Sequence, residues 1–256
     1  MSIEILREFS GYSVSGLMAE NDGDVAIYYA CKELLPQAEG ICMDVGADKG
    51  AWTEMIRTVD RQRTCHVFEP NPESFSALVT RFEDKENIFL HSCAISNREG
   101  HATMNLAGPQ SRIDLSGSVV ETETLDSFLD PNEKIAIVKI DTEGHDDKIL
   151  ASLHQLLKED RIHTIVSEWT PYWYGDNYVE QYTNSKNVLE NIIPFFPYMY
   201  SLSRRGAPYC VLINPDDIDD FLEEHLMDNL QTDILFSKVG LKGIPCVPYE
   251  ANMWYA

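Results

Sequence analysis

From residue 40 onward the chain alternates short, nearly continuous apolar runs with amphipathic stretches of helical period. The runs 41–45, 65–68, 88–90, 135–140 and 162–167 place apolar side chains on both faces of an extended chain. A strand of that composition needs cover on both sides, as in a parallel sheet sandwiched between helices. Between the runs lie the stretches 53–59 and 75–82. In the second, Phe75, Leu78, Val79 and Phe82 fall at i, i+3, i+4 and i+7, one face of a helix. Ile149, Leu150, Leu153, Leu156 and Leu157 repeat the spacing. The alternation predicts an α/β fold with a doubly wound, mostly parallel sheet.

The flanks read differently. Residues 1–40 form a helical prelude, with Asp24 as the cap of an apolar-rich stretch over 25–35 that Pro36 closes. Residues 96–128 show no helical period, and 102–106 and 119–122 read as short irregular strands or an insertion. After Pro194, the runs 198–202 and 209–213 flank Arg204, Arg205 and Gly206 as in a hairpin. The acidic stretch 216–230 carries Ile218, Phe221, Leu222, Leu226 and Leu230 at helical spacing, and 234–236 is the last candidate strand. These runs predict an antiparallel C-terminal edge to the sheet. No repeat or low-complexity linker interrupts the chain. The expected organisation is a helical segment 1–40, one domain over 41–238, and a tail 239–256 belonging to that domain.

Composition narrows the function classes. Among 256 residues, 20 are basic and 42 acidic, a formal charge of −22. A field of that sign repels phosphate backbones, so a nucleic-acid partner is not expected. No apolar run approaches the roughly 20 residues that span a bilayer, and Glu4 and Glu8 stand where a signal peptide would be apolar. The expectation is a cytoplasmic protein without a membrane partner. The six cysteines are scattered, with no CxxC pair and no zinc-type spacing, and read as reduced packing residues.

The strongest local signal is Asp44-Val45-Gly46-Ala47-Asp48-Lys49-Gly50, directly after the first apolar run. Gly46 permits a sharp turn close to a ligand, and Gly50 permits tight packing of the following helix on the sheet. The loop lacks the GxGxxG pattern of a dinucleotide site. Asp44 and Asp48 would repel a pyrophosphate, whereas a cationic amino-acid ligand, such as a sulfonium cofactor, suits them. Glu69 ends the run 65–68, at the tip of the second strand, where a carboxylate accepts hydrogen bonds from ribose hydroxyls. Its alternative role is to cap the helix that begins near Glu73.

These pieces, together with Phe68-Glu69-Pro70-Asn71-Pro72, Ala94-Ile95-Ser96, Thr124-Leu125-Asp126 and Lys139-Ile140-Asp141-Thr142-Glu143-Gly144-His145-Asp146, resemble the FkbM-type S-adenosylmethionine-dependent methyltransferases over about residues 40–238. The resemblance implies a Rossmann-like class I methyltransferase fold and methylation of hydroxyl groups on sugars or other small molecules. Position by position, it puts Asp44, Gly46, Ala47, Gly50, Thr53, Glu69, Pro70, Ala94 and Asp141 around S-adenosylmethionine. Two departures stand out. Asp48 replaces the family's usual Asn, and His145-Asp146 replaces its usual Ala-Glu.

The run 135–140 aims Asp141 at the cleft beyond the carboxyl ends of the strands, and Glu168 ends the next run. If those strands are neighbours, the two carboxylates can hold a divalent cation such as Mg2+ or Mn2+, which would acidify an acceptor hydroxyl. His145, four residues past Asp141, is the candidate base. The order and strand positions also resemble those of metal-dependent sugar O-methyltransferases. Alternatively, Asp141 and Glu143 cap the helix beginning near Asp146.

Beyond Glu168 the chain gathers Trp169, Tyr172, Trp173, Tyr174, Tyr178 and Tyr182 around Pro171 and Gly175. Trp169, Tyr172 and Trp173 are candidates for a platform on which a sugar ring stacks, with aromatic packing as the alternative. The favoured activity is O-methylation of a sugar or glycan hydroxyl. Methylation of a non-sugar small molecule, of nitrogen in nucleic acid or protein, and a non-catalytic scaffold are the competitors.

Overall fold

The computed structural model describes residues 22–106, 111–113, 117–202, 210–244 and 246–249. Nine strands build the main sheet: β1 (Ile41–Val45), β2 (Cys65–Phe68), β3 (Ile88–His91), β8 (Ile135–Ile140), β9 (Thr164–Trp169), β10 (Tyr198–Leu202), β11 (Cys210–Leu212), β12 (Thr232–Ser237) and β13 (Cys246–Pro248). Their spatial order is β13-β11-β10-β12-β9-β8-β1-β2-β3. The sheet is entered at β1, from which the chain winds outward through β2 to β3, then returns to lay β8 against the other side of β1. This reversal leaves a crevice between the carboxyl ends of β1 and β8, where ligands bind in doubly wound sheets.

Alternate residues of the central strands feed two apolar layers. Ile41, Met43 and Val45 of β1 point to one side, with Val138 and Ile140 of β8 and Ile234 and Phe236 of β12. Helices α4 (Asp146–Ser152), α5 (His154–Lys158), α6 (Tyr178–Ile192) and α7 (Ile218–Met227) cover that face. Helices α1 (Asp22–Leu34), α2 (Ala51–Val59) and α3 (Pro72–Phe82) cover the other, over Cys42, Val67, Ile137 and Leu235. Every residue of β1, β9 and β12 is buried, as near-continuous apolar runs require. The result is the expected doubly wound, Rossmann-like α/β fold.

Several expectations need correction. Asp24 lies within the first turn of α1 and not before it. The expected helix over 149–157 is two short helices that meet at Leu153. The expected antiparallel C-terminal side of the sheet is present, with β12 antiparallel to both β9 and β10 and β10 antiparallel to β11. The run 234–236 is not the last strand, because β13 follows and pairs parallel with β11 at the edge. Residues 94–123 hold a second sheet of order β4-β7-β5-β6, made of β4 (Ala94–Ile95), β5 (Gly100–Asn105), β6 (Arg112–Ile113) and β7 (Ser118–Glu123). The hairpin of β10 and β11 is present, while Arg204, Arg205 and Gly206 lie outside the described residues, as do residues 1–21. Among the described residues no helix is long and apolar enough to cross a membrane. The six cysteines form no disulfide.

Candidate active site

The loop after β1 is held by its own backbone. Gly46 N and Ala47 N both donate to Phe68 O at 3.1 Å, Gly50 N donates to Ala47 O at 2.8 Å, and Asp48 N donates to Glu69 Oε2 at 2.8 Å. These four amides are consumed internally, unlike those of a loop that cradles phosphate. Gly46 has φ +75°, and a Cβ there would lie 1.8 Å from Asp141 O. Gly50, at φ +80°, faces Phe82 and Leu78 of α3. Its small size therefore lets α3 approach the loop, a correction to the expected contact with the sheet.

Asp44, at the end of β1, is fully buried. Its Oδ2 accepts from Thr53 Oγ1 at 2.6 Å, so Thr53 positions Asp44 from the first turn of α2. Its Oδ1 has no hydrogen-bond partner among the described residues and lies 3.8 Å from Lys139 Nζ. Burial pushes the Asp44 carboxyl up, opposed by Lys139 and the Thr53 hydroxyl. Lys139 also sits 3.1 Å from Asp141 Oδ2 and donates to Gly46 O at 3.3 Å. Desolvation works against its charge, but Asp141 and Asp44 hold it protonated, above its ordinary range.

Glu69 uses both carboxylate oxygens on the backbone: Oε2 on Asp48 N, and Oε1 on Asn71 N at 2.8 Å. It is not a helix cap. Asn71 caps α3, its Oδ1 accepting from Glu73 N at 2.9 Å. Burial raises the Glu69 carboxyl, and the two amides oppose the shift. Pro70 follows at the half-buried tip of β2. Ala47 is buried under α2, and Ala94 packs with Met104 and Val120 in the small sheet.

Strands β8 and β9 are parallel neighbours, so Asp141 and Glu168 do share one end of the sheet. One carboxylate oxygen each from Asp141, Glu143 and Glu168 lie within 4.8 Å of one another, close enough to share a cation. Glu168 also accepts from Gln231 Nε2. Neither Asp141 nor Glu143 caps α4. The loop is organised by buried Asp146, whose carboxylate accepts from Thr142 N, Thr142 Oγ1 and Gly144 N at 3.0 to 3.2 Å. Burial, with the Asp141 charge adding to it, pushes the Asp146 carboxyl up to about 7.

His145 is buried, its Nε2 3.0 Å from Ser96 Oγ. Desolvation, helped by Lys148, lowers its imidazole to about 4, so it is neutral at pH 7. Of the aromatic candidates, Trp169 is fully buried in the core and packs edge-on to Tyr174 at 5.4 Å. It is a core residue and not part of a platform. Tyr172 and Trp173 are half-buried, and Trp173 lies over Gly144, where a Cβ would meet its Cε3 at 2.8 Å. Tyr178 and Tyr182 stack at 6.2 Å at the solvent-facing start of α6.

The residue this reading of the sequence passed over is Lys139. A lone cation in the apolar run Ile-Ala-Ile-Val-Lys-Ile, one residue from the strand end, was its signal. Ser96, the partner of His145, stood in the motif Ala94-Ile95-Ser96 but was given no role there.

The sequence profile of the methyltransferase FkbM domain matches residues 44–226, more than half of the chain. No curated protein matches it in sequence. Among solved structures, it is similar to a precorrin-6y C5,15-methyltransferase from Geobacter metallireducens, at 13% identity over 89% of this chain and 94% of that one, TM-score 0.44. It is also similar to an rRNA methylase from Streptococcus thermophilus, at 13% identity over 82% and 95%, TM-score 0.45. A third is the plantazolicin methyltransferase BpumL in complex with SAH, at 10% identity over 91% and 90%, TM-score 0.43.

Proposed function

Since the chain belongs to the FkbM methyltransferase family, we propose that it is an S-adenosylmethionine-dependent O-methyltransferase whose acceptor is a hydroxyl of a sugar or glycan. The observation that carries the reading is the environment of Asp44. A fully buried carboxylate oxygen with no hydrogen-bond partner among the described residues stands at the end of β1, beside a loop whose amides are already spent. Such a site suits a cationic ligand better than a phosphate. Asp44, Gly46, Ala47, Glu69 and Pro70 would hold the cofactor, with Glu69 at the ribose and Thr53 acting through Asp44. When bound, the cofactor supplies an electrophilic methyl group.

The acceptor's hydroxyl falls to the acidic cluster. Asp141 is the better placed catalytic group, since its side chain is 34% exposed and Lys139, 3.1 Å away, fixes it beside the loop. It orients the hydroxyl and accepts its hydrogen bond. His145, neutral and paired with Ser96, accepts the proton only transiently because burial disfavours its charged form. In this reading Asp141 and Glu168 hold a divalent cation, with Glu143 as a third carboxylate. Tyr172 and Trp173 offer the half-buried aromatic surface that a sugar ring would stack on.

The test offers methyl-labelled S-adenosylmethionine with three acceptor panels: free and glycosidically linked sugars, non-sugar alcohols and phenols, and oligonucleotides. Label on sugars supports the proposal. Label confined to the second or third panel replaces the acceptor class.

A further inference from the structure

Two pairs of cysteines face each other across parallel strands of the main sheet. Cys42 and Cys65 are register partners on β1 and β2, and Cys210 and Cys246 are register partners on β11 and β13. Register partners point to the same face of a sheet, at a spacing that a disulfide can bridge. The pairs differ in access. Cys42 and Cys65 are both fully buried in the middle of the sheet, whereas Cys210 is buried and Cys246 is exposed on the edge strand.

We propose that Cys210 and Cys246 form a site of reversible oxidation, at which a low-molecular-weight disulfide such as oxidised glutathione converts the two thiols into one bridge that ties β13 to β11. The Cys246 thiolate attacks one sulfur of the small disulfide, forming a mixed disulfide and releasing one small thiolate. The Cys210 sulfur then attacks the Cys246 sulfur and expels the second, and its proton passes to that departing thiolate. Two protein S–H groups are thereby oxidised to one S–S bond, and the small disulfide is reduced to two thiols.

The chemistry of each partner fits its step. The Cys210 thiol hydrogen-bonds to Cys246 and lowers its pKa below the ordinary thiol value, against the opposing effects of partial burial and of Glu33. The same hydrogen bond, with burial, raises Cys210. The exposed sulfur is therefore the nucleophile, and the buried one resolves. The bridge would also secure a weak element. Strand β13 is three residues long, and among the described residues it is followed by Tyr249, whose N donates to Leu212 O at 2.9 Å and whose hydroxyl donates to Glu224 at 2.6 Å.

The experiment treats the intact protein with excess oxidised glutathione under native conditions, then alkylates, digests and maps cysteines by mass spectrometry. The expected result is a Cys210–Cys246 peptide as the predominant link, Cys42 and Cys65 still alkylated as free thiols after unfolding, and a melting temperature that rises on oxidation and returns with dithiothreitol. Cys210→Ser should stop the reaction at a glutathione adduct on Cys246, and Cys246→Ser should leave Cys210 unmodified. The proposal is overturned if wild-type Cys246 stays unmodified, keeps its glutathione, or links predominantly to another cysteine. Because the readout is made on the wild-type chain, it holds even if a variant fails to fold.

Discussion

The carbonyl oxygen of Asp141 fills the space that a Cβ on Gly46 would need, 1.8 Å from its ideal position. The loop after β1 and the acidic loop after β8 are thus packed backbone to backbone, and Asp141 N closes the contact by donating to Val45 O at 3.0 Å. The candidate cofactor loop and the candidate catalytic carboxylate are one mechanical unit.

Gly46→Ala tests that unit. The left-handed backbone costs a non-glycine residue about 1 to 2 kcal/mol, and forcing the two loops apart adds about 1 to 3 kcal/mol. The variant should melt well below wild type, and Gly46→Val should retain no measurable S-adenosylmethionine binding by calorimetry while its far-ultraviolet circular dichroism stays native. Unchanged affinity would move the cofactor elsewhere.

Lys139→Met should be among the most destabilising single changes at the site. It leaves Asp44 and Asp141 facing each other without their shared cation, and losing one partner of a buried pair typically costs about 3 to 5 kcal/mol. Burial already raises the Asp44 carboxyl, so the variant should recover stability as pH falls and Asp44 protonates. Denaturant titrations of both proteins at pH 7 and pH 5 measure this, and an equal loss at both values would contradict it.

His145 gives a pH prediction with a definite sign. Its folded pKa of about 4 lies below the ordinary 6.5, so the unfolded chain binds the proton more readily between those values. The stability held by neutral His145 is present above pH 6.5 and is lost as pH falls toward 4. His145→Gln lacks that proton, so the melting-temperature gap between wild type and variant should narrow on acidification from pH 6.5 to 4. A constant gap would show that His145 titrates normally.

Chelation separates the roles at the acidic cluster. If Asp141, Glu143 and Glu168 share a divalent cation, exhaustive chelation should abolish methyl transfer, added Mg2+ or Mn2+ should restore it, and Glu168→Gln should raise the metal concentration needed. Full activity after chelation would leave Asp141 to act by hydrogen bonding alone.

Much of the fold was legible because buried parallel strands announce themselves: the bounds of β1, β2 and β8 follow from apolar runs alone. The positions of Asp44, Glu69 and Asp141 at strand ends followed with them, whereas Glu168, expected just past the run 162–167, lies inside β9. What the sequence concealed depends on non-local pairing. Nothing local tells that β12 enters between β9 and β10, or that the three residues of β13 find an edge. The roles of Thr53 and Lys139 lie in contacts across the crevice between α2, β1 and β8. Trp169 was misread for a related reason: an aromatic at a strand end looks alike whether it faces a cleft or the core, and here packing against Tyr174 decides for the core.

The most direct measurement is the position of the transferred methyl group. The protein is incubated with S-adenosylmethionine carrying a carbon-13 methyl and a mixed sugar acceptor panel, and the product is examined by carbon-13 nuclear magnetic resonance. The account predicts a new methyl-ether resonance coupled to a sugar ring carbon, absent from the Asp141→Asn variant. A labelled methyl on nitrogen or carbon, or on no sugar while another acceptor takes it, would contradict the account.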